Sequence, residues 1–487
     1  MGIGKADVVG KELKYFFYEW ELRICILLSL FLQILLILGG PLRKRVSHKG
    51  LHVLLWSAYL LADATAIFAV GLIASKQAAY SNHYLNAPPN SILHTFWAPF
   101  LLAHLGGPDP IAAFALEDNE LWLRHLFSLF TQCTAVAYVF YQSLTPDKLL
   151  VPSLLMFLCG IIKYAERTYA LYCASGKTFR DSILNEPESN TPEKWREFSA
   201  LPVNSENVNM RNATDLKPLE VVKYAFLCFS YFKGLVVDLI FSFRAHSESR
   251  KLFLARSSSD AFRVVEVELN FLYDVFFTKL PVVYHQVGIG CRAVSVGAIV
   301  TSLVLFHYVD KKYLKPEGFE VGITYILLFG GIVLEVIAFF MLVFSDWTVV
   351  KLDHLPNENP DEQSWKRMFM DFIVNVNVRR GEIICWLLNI GGVRGSGSDY
   401  VSEPTDRSIR AFLDEMVYVK QHPLPFYVKD FIFKELKIKS EKAYNPDIAM
   451  QICSAKGEWV LGTAGYSSSN LFTLVKDIEY DESQGRT

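Results

Sequence analysis

The sequence predicts an all-α protein: a polytopic helical membrane protein with about six or seven transmembrane helices and cytosolic, mostly helical segments. Hydrophobic residues make up 52% of the 487 residues and charged residues only 20%, and the mean hydropathy is +0.24. The apolar residues are concentrated in long blocks, several of which reach the roughly 20 residues that cross the hydrocarbon of a bilayer. Blocks of this length indicate membrane spans rather than the core of a soluble domain.

Seven apolar runs account for these spans. Five lie within residues 1–175, which form an N-terminal transmembrane region, and two lie within residues 293–345. The run at 92–105 is short and contains Pro99, so a tilted span, a re-entrant segment and an interfacial helix all stay open for it. The predicted spans are 22–40, 51–75, 92–105, 126–144, 149–164, 293–309 and 321–344.

Two segments have the composition of water-facing protein. Residues 176–292 are predicted to form a loop and amphipathic helices, including one over 221–243, and residues 346–487 a soluble helical region. The densest basic cluster beside any span, at 43–49, predicts a cytosolic loop and therefore an N-terminus on the opposite side of the membrane. With seven spans, the preferred count, both water-facing segments are cytosolic. With six spans, both lie on the other side.

The net charge and the sequence motifs limit the partners, cofactors and activities that the chain is expected to have. Lys and Arg total 48 and Asp and Glu total 50, for a net charge of −2, so no excess of positive charge points to nucleic acid. Membrane lipids, and protein partners bound through the cytosolic segments, are the expected partners. The eight scattered cysteines have no C-x-x-C spacing and predict neither a zinc site nor a disulfide framework. No metal and no cofactor is expected, and the lack of G-x-S-x-G, P-loop and H-E-x-x-H motifs favours a protein that is not an enzyme.

Several sequence blocks carry a resemblance to a known family. They are LGGPDPIAAFALEDNELWLRH at 105–125, IKYAERT at 162–168, VEVELNFLYDVFFTK at 265–279, LE at 334–335 with SDW at 345–347, FIFKELK at 431–437 and KGEW at 456–459. With these blocks the chain resembles the plant membrane proteins called "domain of unknown function 4220". Members commonly continue into a second module, "domain of unknown function 594". Residues 478–483 resemble its opening and the chain then ends, so we expect that module to be absent. The resemblance implies a membrane protein and no particular activity.

Ionisable residues inside the predicted spans form the first candidate site. Asp63 and Glu335 lie near the middle of their spans, where a charge costs about 2.5 kcal/mol or more unless it meets a partner or water. Lys163, Glu166 and Arg167 fall where a span meets the interface and are candidate counter-charges. Two interpretations follow: a proton or ion relay in a transporter, or structural ion pairs that hold the bundle together. The second is preferred because no pore signature accompanies these residues.

The polar block that follows the short apolar run forms the second candidate site. Its members are His104, Asp109, Glu117, Asp118, Arg124 and His125. One interpretation is an ion or metal site to which His94 also contributes; the preferred one is a capped, ion-paired helix entry, because the spacing matches no known metal signature. Asp109 stands directly before Pro110, which predicts an N-cap on a helix that starts at Pro110.

The sequence leaves the function open among three classes. A membrane-anchored interaction or scaffold protein is preferred, because the water-facing fraction is large and no pore motif is present. An ion- or proton-coupled transporter or channel that uses Asp63 and Glu335 is the first alternative. A membrane-embedded lipid-modifying enzyme that uses the histidines and acids of the polar block is the second. Either the plasma membrane or an internal membrane suits a multi-pass protein of this kind.

Overall fold

The computed structural model describes residues 3–44, 49–82, 91–143, 148–185, 216–239, 250, 253–254, 256–309, 318–354, 360–390 and 425–443. The chain divides into two compact units. Unit 1 comprises residues 1–192, 217–240 and 266–421, and unit 2 comprises residues 193–216, 241–265 and 422–487. The described residues form helices and connections and contain no strand, so the all-α prediction is confirmed.

The helices of the described part, numbered in chain order, agree with the apolar runs of the sequence. They are α1 (Ile3–Arg43), α2 (Lys49–Asn82), α3 (Ser91–Leu105), α4 (Leu116–Glu120), α5 (Trp122–Ser143), α6 (Leu150–Ala174), α7 (Gly176–Leu184), α8 (Pro218–Phe232), α9 (Ser258–Phe277), α10 (Leu280–Val283), α11 (Gln286–Tyr308), α12 (Gly318–Val343), α13 (Asp346–Asp353), α14 (Pro360–Ile390) and α15 (Phe426–Lys442). Each predicted span coincides with a helix of this set, and the one at 92–105 coincides with the short helix α3.

Four of these helices are long and apolar enough to cross a membrane: α1 over residues 20–43, α2 over residues 50–78, α11 and α12. Their outer faces carry large apolar side chains such as Phe31, Trp56 and Phe329, each at least half exposed. Exposed apolar surface on this scale is unfavourable in water and suits the hydrocarbon of a bilayer. The chain is therefore a membrane protein.

The short helix α3 lies in the centre of unit 1. Phe96, Trp97 and Leu101 are completely buried, and the Trp97 indole N–H donates a hydrogen bond to Thr324 Oγ1 on α12, 2.9 Å away. A Cβ on Gly160 of α6 would lie 3.0 Å from the Leu102 side chain, so α6 and α3 approach closely at that glycine. Because other helices surround it, α3 does not itself need the length and uniform apolarity of a lipid-facing span.

Neighbouring long helices of unit 1 alternate in direction. The end of α1 reaches the segment after α3, since Arg43 donates hydrogen bonds to Ala113 O and Phe114 O. At the opposite end of the bundle, Arg23 of α1 pairs with Glu320 at the start of α12. Thus α1, α3, α6 and α12 all end where α2, α5 and α11 begin. We call this the motif end of the bundle, because residues 105–125 lie there.

One helix of the predicted water-facing segments is shorter than the sequence suggested. The amphipathic helix expected over 221–243 ends at Phe232, and a 3₁₀ turn, Lys233–Val237, follows it. The turn closes at Asp238, whose φ of 57° is left-handed. Such a residue breaks a right-handed helix, so the prediction was too long. Residues 240–243 lie outside the described part.

Candidate functional site

The chain reverses direction directly after α3, and two glycines make this turn. Gly107 has a φ of +67°, a conformation that side chains other than glycine rarely adopt. A Cβ on Gly106 would lie 2.7 Å from the Lys163 carbonyl carbon of α6. The next helix begins only at Leu116, and the Asp118 carboxylate accepts hydrogen bonds from the N–H groups of Phe114 and Ala115 at 2.8 and 2.9 Å.

The predicted N-cap at Asp109 was wrong. Residues 109–110 form a turn and no helix starts at Pro110. The Asp109 carboxylate instead pairs with Arg292 at the start of α11. Burial alone would raise the pKa of Asp109, but Arg292, Lys279 and Lys163 outweigh that effect and keep this pKa below its ordinary value. The Asp109 side chain, which the local sequence predicts to cap a helix, instead forms a tertiary ion pair.

The segment after α3 is joined to the end of α9 through the backbone. Ala112 N–H donates to Phe277 O at 2.8 Å, and Lys279 N–H donates to Asp109 O at 3.0 Å. The Lys279 ammonium donates to Gly107 O at 2.7 Å. Two of the sequence blocks, 105–125 and 265–279, therefore form one folded element. Its irregular backbone groups are satisfied within protein, as they must be near a bilayer.

The end of α1 closes this element from the other side. The Arg43 guanidinium lies 3.9 Å from the centre of the Phe114 ring, in addition to its bonds to the carbonyl groups of residues 113 and 114. Lys44 pairs with Asp274 of α9. Two cations that the sequence offered only as a signal of membrane orientation therefore also hold the motif end together.

The intramembrane acids of the first candidate site each meet a cation of α6. Arg167 binds Asp63 with two hydrogen bonds, of 2.7 and 3.0 Å, and also donates to Leu105 O at 2.9 Å. Lys163 pairs with Glu335. The structure thus brings four of the five predicted residues together in two pairs. Glu166 joins neither pair, and its Oε1 is buried without a hydrogen-bond partner.

Three charged residues of this network were not singled out from the sequence. Arg292 lies between Asp109 and Glu335, with its Nη1 3.7 Å from Glu335 Oε2. Lys279 is buried beside Asp109, and Glu320 pairs with Arg23 at the opposite end of the bundle. Arg292 and Glu320 sit just outside the predicted spans and Lys279 closes a sequence block. No sequence motif identifies these residues as part of the network. Their position beside a predicted span was the one available signal.

A small cavity lies beside these pairs. Its volume is about 40 Å³, and its polar lining comes from Gln33, His104, Asp109, Lys163 and Glu335. His104 Nδ1 is 2.8 Å from Ser29 Oγ, and Gln33 donates to His104 O at 3.0 Å. A cavity of this size holds about one to three water molecules. It does not provide a continuous aqueous route through the bundle.

The second candidate site does not assemble as one set of ligands. His104 and Asp109 line the cavity, Asp118 caps α4, Glu117 and Arg124 are exposed, and His125 is buried near the start of α5. His94 packs against Trp97 at a ring distance of 5.0 Å. Within the described ranges, no three His, Cys, Asp or Glu side chains are grouped so as to hold a metal ion. The geometry resembles an ion-paired helix junction.

Comparison with known proteins yields one match. The family model described as "Domain of unknown function (DUF4220)" matches residues 56–388. That range contains the blocks at 105–125, 162–168, 265–279 and 334–347, whose residues build the polar network and the folded element at the motif end. No curated protein and no solved structure is similar to the chain.

The contact between Gly106 and α6 gives a first prediction. Gly106→Ala should lower the free energy of unfolding by about 1–3 kcal/mol, because the backbone of Lys163 must move to admit a methyl group. Gly71→Ala in α2 is the matched control, since nothing lies within 4 Å of its Cβ position, and it should raise stability by up to about 1 kcal/mol. Thermal unfolding of both variants in detergent measures this, and equal effects would contradict the close approach.

Lys279 gives a second prediction. It is 1% exposed, and burial lowers its pKa to about 8, with Lys163 and Arg167 acting in the same direction and Asp109 and Glu166 opposing them. An unfolded lysine titrates near 10.5, so the unfolded chain binds this proton more tightly. The free energy of unfolding therefore rises as the pH increases from about 8 to about 10.5.

We expect wild type to gain stability relative to Lys279→Met over that interval, by up to about 3 kcal/mol. Thermal midpoints at fixed ionic strength across the interval test this. Lys434→Met is the control, because its side chain is 69% exposed and its removal should leave the difference from wild type almost constant with pH. A constant difference for Lys279→Met as well would show that folding does not lower the pKa of Lys279.

Proposed function

The chain belongs to the family described as domain of unknown function DUF4220, and from this premise we propose that it is a multi-pass membrane protein that serves as a membrane-anchored interaction or scaffold protein. In this proposal the bundle of unit 1 is a rigid anchor. Its buried charges hold the helices in register, and the water-facing parts carry the interactions. The protein acts without a cofactor or metal of its own, in the plasma membrane or an internal membrane.

The pairing of the buried acids is the observation that carries the proposal. Asp63 lies against Arg167, and Glu335 lies against Lys163 and near Arg292. A transporter needs a carboxylate that can release its counter-ion to a proton or substrate ion, together with a wet path to it. Asp63 is held by one guanidinium and Glu335 by two cationic groups, and the cavity beside Glu335 measures only about 40 Å³. These features favour a structural role.

The alternating helix directions support seven crossings. If α1, α2, α3, α5, α6, α11 and α12 each cross, the N-terminus and the segment after α12 lie on opposite sides. By the positive-inside rule, the cations Arg43 and Lys44 at the motif end then favour a cytosolic position for that end. Because both also make specific contacts with Phe114 and Asp274, their weight as an orientation signal is reduced.

An apolar stripe on α14 supports the interaction role. Trp365, Met368 and Phe372 recur at helical spacing and are between 53% and 67% exposed. Side chains three and four residues apart share one helix face, and a partner helix with a matching apolar face would bury them. Phe372 also contacts Phe344 directly after α12, with ring centres 6.1 Å apart, and we assign the rest of this exposed face to a protein partner.

One observation favours transport as a second candidate function. The cavity places His104, Asp109, Lys163 and Glu335 around one small polar space inside the bundle. A proton that moved between Lys163 and Glu335 would neutralise both, and His104 offers a further exchange site. The substitutions that test the scaffold proposal also decide this alternative.

The buried acids give the third prediction. Asp63→Asn and Glu335→Gln should each lower the free energy of unfolding by about 3–5 kcal/mol, because each leaves a buried cation without its partner. The double change Lys163→Met with Glu335→Met should recover part of that loss. Glu117→Gln, at an exposed position, is the neutral control. Thermal unfolding in detergent measures all four proteins.

The same variants are tested for transport in sealed proteoliposomes that contain a pH-sensitive dye. We expect wild type and all variants to show the same proton leak as vesicles without protein. A proton flux in wild type that Asp63→Asn or Glu335→Gln abolishes, with unfolding unchanged, would reject the scaffold proposal in favour of coupled transport.

The orientation gives a fourth prediction. In sealed microsomes, whose cytosolic face is outside, an epitope tag placed after residue 2 should be protected from protease. A tag placed at residue 487 should be digested. Seven crossings require opposite sides, whereas six place both tags on the same side. A tag inserted between residues 45 and 48 is the internal control and should share the side of residue 487.

A further inference from the structure

Unit 2 contains a groove whose lining residues have no part in the helix bundle of unit 1. It lies between the first part of α9, up to Val265, and one face of α15, and its volume is about 420 Å³. Phe253, Leu254, Phe262 and Phe433 are prominent among its apolar lining residues. Pockets that bind small molecules usually fall between about 300 and 1,000 Å³ and are lined mainly by apolar side chains. The size and lining therefore match a ligand site for an apolar molecule.

Two cations belong to the same groove, and the lining residues include no acid. Lys437 is fixed there because its ammonium donates to Leu254 O at 2.9 Å and to Arg256 O at 3.4 Å. Arg250 contributes a guanidinium whose Nε is buried without a hydrogen-bond partner. A buried donor without an acceptor is costly, and an anionic oxygen of a ligand would remove that cost.

Among the described residues, Asp430 and Glu441 act electrostatically on Lys437, but neither lines the groove. Asp430 Oδ2 lies 2.7 Å from Lys434 Nζ on the same helix. Asp260 accepts a hydrogen bond from Leu216 N–H at 3.2 Å and lies 3.5 Å from Arg263. No carboxylate of the described residues pairs with Arg250. The groove therefore presents net positive charge at one part of an otherwise apolar surface.

We propose that this groove binds a long-chain fatty acid, with its carboxylate at Arg250 and its chain against Phe262 and Phe433. The planar guanidinium matches a carboxylate through two parallel hydrogen bonds. Ser440 also lines the groove, and its hydroxyl can donate a further bond. The aromatic rings supply the flat apolar walls that an acyl chain contacts. This site is independent of the buried ion pairs of unit 1.

The test uses the full chain in nanodiscs of neutral phosphatidylcholine. A palmitic acid analogue with a photoreactive group on its chain is bound and cross-linked, and the labelled peptides are identified by mass spectrometry. We expect labels on peptides that contain Phe262 or Phe433, and their loss when excess unlabelled palmitate is present. Monoolein, which has a similar chain but no charge, should compete less well.

Two variants and one control make the test specific. Arg250→Gln should weaken palmitate binding about tenfold, the effect of losing one charge-assisted hydrogen bond, and should leave monoolein binding unchanged. Val265→Trp should fill the groove and reduce labelling by both lipids. Lys434→Gln removes a charge from α15 at a residue outside the groove lining and should bind palmitate as wild type does. Size-exclusion profiles confirm that each variant is folded.

Several results would overturn the proposal. Labels confined to peptides of the bundle would show that the fatty acid only samples the lipid-facing surface. Equal palmitate affinity in wild type and Arg250→Gln would remove the proposed carboxylate contact. Competition by lysophosphatidic acid without competition by palmitate would identify a phosphate ligand and reject the fatty acid.

Discussion

The pairing of charges inside the helix bundle is the constraint on which the rest of unit 1 depends. In hydrocarbon, apolar side chains gain little by contacting one another rather than lipid, so packing alone orients helices weakly. A buried carboxylate must meet a cation, and the two helices must be oriented so that the paired side chains face each other. The pairs Asp63–Arg167, Lys163–Glu335 and Arg23–Glu320 join α2 to α6, α6 to α12 and α12 to α1. Each pair fixes both the rotation and the height of two helices.

The same chemistry explains why the blocks at 105–125, 162–168, 265–279 and 334–347 meet at one end of the bundle. The turn after α3 exposes carbonyl groups that no regular helix satisfies, and near a bilayer water cannot be relied on to satisfy them. Arg167 donates to Leu105 O, and Lys279 donates to Gly107 O. Trp347 of the SDW block packs edge-on against Phe271 of α9, with ring centres 5.2 Å apart. The blocks therefore specify a folded junction, and their residue types follow from the groups that the junction must satisfy.

The sequence predicted those features that depend on local composition. Apolar runs marked every long helix of the bundle, and the depth of Asp63 and Glu335 in their spans marked them as residues that need partners. It failed where a distant residue decides the outcome. Asp109 has the local signature of a helix cap, yet Arg292, far along the chain, takes its carboxylate. The sequence did predict a helical segment at 92–105 but left open whether it spans the membrane, because the five helices that pack against α3 are not recorded in its own sequence. The groove in unit 2 had no sequence signal at all, since its lining residues come from two separated stretches.

The two units differ in whether the cationic side chains at their candidate sites have a carboxylate partner among the described residues. In unit 1, Arg167, Lys163 and Arg292 each lie against a carboxylate, so a ligand that displaced any of these pairs would first have to replace a strong interaction in a nearly dry space. In unit 2, Arg250 lies beside apolar walls and has no carboxylate among the described residues. A ligand that brings both an anionic oxygen and an apolar chain displaces nothing there and satisfies a buried donor. Binding an anionic ligand therefore costs less free energy in the groove than in the bundle. For this reason we place the anchor in unit 1 and ligand binding in unit 2.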